Sequence, residues 1–156
     1  MGKKSTQYVV RFSDDFKERS AELESFDLPA SILEYADAIP GPQLITIGMV
    51  GLYTHLISLE RRGKKFSLEQ FRKLYGRCSL KRMVATFEHM EALELIECAN
   101  LRGAKPDTLL EIKVLVPYDS EELEENRLKL WERVKTSSAF RKKRASRPTT
   151  RARGVH

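Results

Sequence analysis

From Gln43 to Arg62, apolar residues return every three or four positions, at Ile45, Met49, Leu52, Tyr53, Leu56 and Leu59. That spacing lines one face of an amphipathic helix. Arg61, Arg62, Gly63 and two lysines close it, the cations lying where a helix dipole favours them. Ser67-Leu68-Glu69-Gln70 has the form of a capping box. The second helix it opens shows Leu68, Phe71, Leu74 and Tyr75 on one side, and Gly76 ends it. Ser79 then caps a third helix from Leu80 to Leu93, with Met83, Val84, Phe87, Met90 and Leu93 as its inner face. Beyond it the period shortens. Leu95-Ile96-Glu97-Cys98 reads as a short strand, Asn100 to Asp107 as a turn-rich loop, and Thr108 to Val116 as a second strand.

The flanks are less regular. Tyr8 to Phe12 reads as a short strand, and Ser13, followed by Asp14 and Asp15, caps a helix through Phe26. Asp27-Leu28-Pro29 marks a turn, Ala30 to Ala38 a short helix using Ile32, Leu33 and Tyr35, and Pro40-Gly41-Pro42 a firm break. After the hairpin, Asp119 or Ser120 caps a last helix with four glutamates near its start. Its apolar side is Leu123, Leu128, Trp131 and Val134, expected to pack on the body or, in a homodimer, on a second copy. The organisation is therefore an N-terminal extension of strand and helices over 1–40, a central domain over 41–117, a helix over 118–137 and a basic tail over 138–156, expected to be disordered when free. The fold class is mainly α with a small β-hairpin.

A hydrophobic fraction of 41% suffices for a core, and a charged fraction of 32% suits a soluble chain. No stretch approaches the roughly 18 to 20 apolar residues of a membrane span. The most apolar run, Leu44 to Leu59, is broken by Thr46, Gly48, Thr54, His55 and Ser58. Gly2 and Thr6 fit a myristoylation pattern that is short enough to recur by chance. The polar amino terminus lacks the apolar segment of a secretory signal, so the expectation is a cytoplasmic protein with no membrane partner. Cys78 and Cys98 stand apart without zinc-ligand spacing, and two reduced, part-buried thiols are expected.

The net charge of +6 conceals its distribution. Residues 133–156 hold nine Lys or Arg and no acid, while the rest of the chain holds 19 basic and 22 acidic residues. A second basic concentration lies inside that acidic remainder: Arg61 to Arg82 contains nine cations and a single acid, Glu69. Positive charge held in two places points to a polyanionic partner, and nucleic acid fits better than membrane without an amphipathic anchor.

The middle of the chain resembles the winged helix-turn-helix domains of prokaryotic regulators and of phage and plasmid replication-initiation proteins. The likeness is carried by Val50-Gly51-Leu52-Tyr53-Thr54-His55-Leu56, by Phe66-Ser67-Leu68-Glu69-Gln70-Phe71, by Ser79-Leu80-Lys81-Arg82-Met83 and by Glu91 to Glu97. Phe26 to Leu33 is similar to the lead-in of some initiator domains, so the likeness spans residues 26–117. It implies a third helix that enters the major groove of duplex DNA by its first turns.

On that expectation Arg77, Ser79, Lys81, Arg82 and Thr86 face outward near the start of the reading helix. Arg72 and Lys73 meet the backbone from the second helix, and Arg102 and Lys105 reach it from the wing tip. The tail, with Arg141, Lys142, Lys143 and Arg144, adds salt-sensitive affinity. No glycine-rich phosphate loop, nucleophile elbow or His-Glu-x-x-His pattern is present, so neither catalysis nor a cofactor is expected. With no separate ligand domain, the expected role is an accessory factor in replication, transfer or transcription of a mobile element, alongside a replication or transcription protein. The rival is a winged-helix adaptor between proteins, with the tail on RNA or an acidic partner.

Overall fold

A computed structural model describes residues 11, 13–15, 18–19, 27–39, 41–76 and 78–137. Most of the expected strand Tyr8–Phe12, much of the helix expected to follow it, Arg77, and the tail 138–156 lie outside the described residues; Asp14, Asp15, Glu18 and Arg19 are helical. The described chain is mainly helical with one small antiparallel sheet. No described helix is long and apolar enough to cross a membrane.

The first element, α1 (Ile32–Tyr35), is shorter than its periodicity predicts. Asp37 turns its carboxylate onto the N–H of Ile39 (3.1 Å), a local bond that competes with helix continuation. Residues 43–45 do not begin the next helix either. Gln43 donates its side-chain amide to the Ala36 carbonyl (2.9 Å), and the N–H groups of Leu44 and Ile45 both donate to the Tyr35 carbonyl. The carbonyls left open at the end of α1 are thereby satisfied. Thr46 then caps α2 (Ile47–Arg61), its hydroxyl accepting from the N–H of Met49. Ile45 is buried, but ahead of the helix.

The capping box at Ser67 is formed on both sides and opens α3 (Leu68–Leu74). With only seven residues, α3 places Leu68 and Phe71 in the core and leaves Leu74 and Tyr75 exposed, against expectation. Ser79 caps α4 (Leu80–Ala92), which buries Met83, Phe87 and Met90. The chain leaves α4 through Glu94 at φ 59°, with Leu95 N–H on the Met90 carbonyl and Glu94 N–H on the Glu91 carbonyl. This is a Schellman turn with glutamate where glycine is usual.

Strands β1 (Ile96–Cys98) and β2 (Ile112–Val114) pair antiparallel with Cys98 opposite Ile112. The second strand is shorter than predicted because its first residues have other partners. Asn100 accepts from Glu111 N–H and donates to the Leu109 carbonyl, both at 2.8 Å, standing in for a ladder neighbour. Leu109 bridges to Ser67, and Leu110 N–H donates to the Phe66 carbonyl (3.0 Å). The segment before α3 thus pairs with the stretch leading into β2 as a rudimentary third strand.

The last helix, α5 (Ser120–Lys135), is capped by Asp119 and turned differently from its hydrophobic pattern. It buries Leu123, Arg127, Leu130 and Val134, while Leu128 is 70% exposed. Arg127 is 4% exposed and donates to the carbonyls of Glu34, Asp37 and Pro42 at 2.8 to 3.1 Å. Three carbonyl dipoles surround this buried cation, so its charge is solvated by backbone rather than by a carboxylate. Gly41 makes the room: its φ is +154°, and a Cβ there would lie 2.7 Å from Arg127 Cδ.

Two outcomes test this account. Arg127→Met should lower the unfolding free energy by about 3 kcal/mol, since it strands buried carbonyls, whereas Leu128→Ala should change it by under about 0.5 kcal/mol. Urea melts of both variants check the phase of α5. At position 94, glycine should give a chain about 1 kcal/mol more stable than alanine, both lacking the carboxylate, because only the left-handed backbone distinguishes them. Equal melting of the two would contradict the turn described above.

Candidate nucleic-acid interface

Three elements carry the expected cations: the first turn of α4, helix α3 and the loop joining β1 to β2. Ser79 Oγ accepts the N–H of Arg82 (3.1 Å) and so fixes the first turn of α4, from which Lys81 and Arg82 extend into solvent. Thr86 is half-buried and its hydroxyl donates to the Arg82 carbonyl (2.9 Å), so it stays close to the helix. Helical spacing from Lys81 puts Ala85 and Glu88 next along the outward stripe. Ala85 escaped the sequence analysis because a small neutral residue carries no charge signal; its lack of bulk is what would permit close approach.

Arg72 is held by Glu69 in a two-point contact at 2.6 and 3.1 Å. That bond keeps the Glu69 carboxyl below its ordinary pKa and leaves Arg72 locally neutralised. Lys73 is exposed on the next position. Arg102 and Lys105 are exposed on the loop joining β1 to β2, which is firmly organised. Leu101 is buried beneath it, Lys105 and Thr108 bond to one another, and the Pro106 carbonyl accepts Glu69 N–H (3.0 Å) from the first turn of α3. The loop is tied to α3 rather than projecting alone. Arg77 and the tail cations Arg141, Lys142, Lys143 and Arg144 lie outside the described residues.

Tyr75 was expected in the core but is 39% exposed beside the start of α4, its hydroxyl donating to the Gly48 carbonyl (3.2 Å). Burial of part of the ring pushes the phenol up to about 12, so it remains a donor at neutral pH. Between Tyr75, Thr46, Gly48, Cys78 and Arg82 lies a cavity of about 300 Å³. Cys78 and Cys98 are free, half-buried thiols.

The helices differ in how charge meets their dipoles. In α3 and α5 the first turn is acidic and the last turn basic, and α2 ends on Arg61. In α4 the first turn has no acid and carries Lys81 and Arg82, with Glu88 and Glu91 in the later turns. Such inversion costs roughly 0.3 to 1 kcal/mol per charge on an exposed helix end.

His89 ties α4 to the segment before α2: its Nε2–H donates to the Leu44 carbonyl (2.7 Å). The carbonyl can only accept, which places the proton on Nε2. Burial, partly offset by that bond, holds the His89 pKa below its ordinary value of 6.5. The unfolded chain therefore takes up a proton where the folded chain resists it. Stability from this group is complete above pH 6.5 and is lost as pH falls through the folded value. His89→Gln keeps a donor and should flatten the acid decline between about pH 7 and 5 in urea melts; an unaltered decline would remove His89 from the account.

Comparison with known proteins gave no match to a family model, to a curated protein or to a solved structure.

Proposed function

We propose that the chain is a winged helix-turn-helix protein that reads double-stranded DNA with α4 in the major groove. The order of α2, a short paired segment, α3, a tight turn, α4 and the β1–β2 hairpin supports that fold. The observation that carries the function is the inverted charge of α4. Lys81 and Arg82 oppose the dipole of their own helix, a placement that a phosphate or a guanine edge relieves.

In this arrangement Arg82 or Lys81 meets the bases or the nearest phosphate, Ala85 lets the helix approach and can meet a thymine methyl, and Ser79 and Thr86 supply hydroxyls. Arg102 and Lys105 take the backbone from the hairpin loop, and Lys73 does so from α3. Arg72 contributes less, because Glu69 already answers its charge. Arg77 and the tail from Arg141 to Arg144 add electrostatic affinity that falls with salt. The role that fits is a DNA-bound accessory factor in replication, transfer or transcription of a mobile element, working by binding rather than catalysis.

Anisotropy of labelled random duplex at two salt concentrations tests this with the full chain, a chain ending at Ser137, and Lys81→Ala/Arg82→Ala in each. The double variant should bind about tenfold or more weakly, with the salt slope lower by about one per lost phosphate contact, in both lengths. If all binding leaves with the tail and the double variant behaves as the parent, the middle domain is an adaptor and not a reader.

A further inference from the structure

The sheet has an open edge. The bonds from Ala99 N–H to the Glu111 carbonyl (3.2 Å) and from Leu115 N–H to the Leu95 carbonyl (2.9 Å) fix which pairs bond across β1 and β2. Antiparallel alternation then turns the N–H and C=O groups of Ile112 and Val114 away from β1. On that outer side the chain from α2 to α3 follows β2 only at Phe66 and Ser67. Farther back it veers off, because α2 closes through Gly63 at φ 63° with Lys64 N–H on the Leu59 carbonyl. No described residue bonds the outward backbone groups of Ile112 or Val114.

Where the third strand peels away, a cavity of about 330 Å³ opens between α2 and β2. Leu56, Leu59, Phe66 and Leu110 line its depth, and Lys65 and Lys113 stand among its charged lining. Val116, two residues past β2, is 86% exposed. Unpaired edge groups beside an apolar recess satisfy both requirements of strand addition, in which the main chain gives affinity and alternate side chains fill pockets.

We propose that this edge receives an extended, acidic and apolar segment of another protein, which pairs with Ile112 and Val114 and seats one apolar side chain in the cavity. The charge follows from the surroundings: Lys64, Lys65 and Lys113 outnumber Glu60 and Glu111 around the recess, and Arg62 adjoins it in the chain. A second copy is the poorer occupant, because its own β2 would bring Lys113 to an already basic edge. The chain's own strand-prone stretch, Tyr8 to Phe12, carries Arg11 and no acid. The inference stands apart from DNA reading, since the edge uses none of the cations of α4.

The test pans a random heptapeptide phage library on the full chain and titrates the selected peptides, made synthetically, into ¹⁵N-labelled protein. Selected peptides should set an apolar residue among Asp or Glu and shift the amides of 64–66 and 110–116. Lys65→Glu with Lys113→Glu should weaken them about tenfold or more, the loss expected of one removed charge-assisted contact. Val114→Pro, which removes an outward N–H without altering charge, should do the same; circular dichroism confirms its fold, and the lysine variant decides if that fold is lost. Four results would each overturn the proposal: no selection, a basic consensus, shifts confined to other surfaces, or sedimentation showing the chain itself paired through this edge.

Discussion

A single buried guanidinium holds the described chain together at its least regular place. Arg127 reaches from α5 to the carbonyls of Glu34, Asp37 and Pro42, at the end of α1 and in the irregular segment that follows it. Proline supplies no N–H and glycine no side chain, so the carbonyls around Pro40-Gly41-Pro42 need donors from elsewhere. Arginine, with five donors in a rigid fork, meets several at once. The consequences run outward from there. Tyr35, in the segment so fixed, accepts Leu44 and Ile45 N–H on its carbonyl and Tyr118 N–H on its hydroxyl (2.9 Å). Leu44 in turn receives His89, and with it α4. Helix α4 is thus braced through backbone carbonyls as well as through its apolar face.

Charge arrangement sorts the cations of this chain by whether a helix dipole accounts for them. Where a cation lies at the end of α2, α3 or α5, the helix dipole accounts for it. The Arg133–Glu94 pair (3.1 Å) likewise ties α5 to the turn after α4; the Tyr118 hydroxyl, and after it Arg133, keeps the Glu94 carboxyl below its ordinary pKa. Lys81 and Arg82 have no such structural explanation. Under the proposed function, the charge of the duplex is what answers them.

How far the sequence could be read depended on which groups carried the information. Caps and closing glycines are local chemistry, so Ser67, Ser79, Gly63 and Gly76 mark ends that the fold keeps. Apolar periodicity located α2, α4 and the hairpin for the same reason. It failed on α5, where counting apolar residues selected Leu128 and overlooked Arg127, a residue buried for its donors rather than for its hydrophobicity. It failed at Tyr75, the C-cap residue of α3, whose hydroxyl turns to the Gly48 carbonyl while the ring stays 39% exposed. Asn100 acting as a strand neighbour, and Phe66–Ser67 lying along β2, depend on contacts distant in sequence that no local pattern encodes. Among the proposed DNA contacts, exposure of Lys81 and Arg82 was legible, whereas the neutralisation of Arg72 required seeing its side chain turn back on Glu69.

The β1–β2 loop shows how a small sheet can hold its cations in place. A free loop carrying Arg102 and Lys105 would lose configurational entropy on meeting a phosphate backbone. Here that ordering has already occurred: Asn100 bonds across the loop base, Lys105 and Thr108 bond to each other, and Pro106 satisfies the Glu69 N–H in the first turn of α3. Because Phe66 and Ser67 also pair with Leu110 and Leu109, the loop, β2 and α3 form one connected unit. Pairing with the body is made just before β2, at Leu109 and Leu110, and no described residue bonds the outer edge of β2 itself. The hairpin is therefore steadied on the stretch that leads into β2, while the outward hydrogen-bonding groups of Ile112 and Val114 stay available.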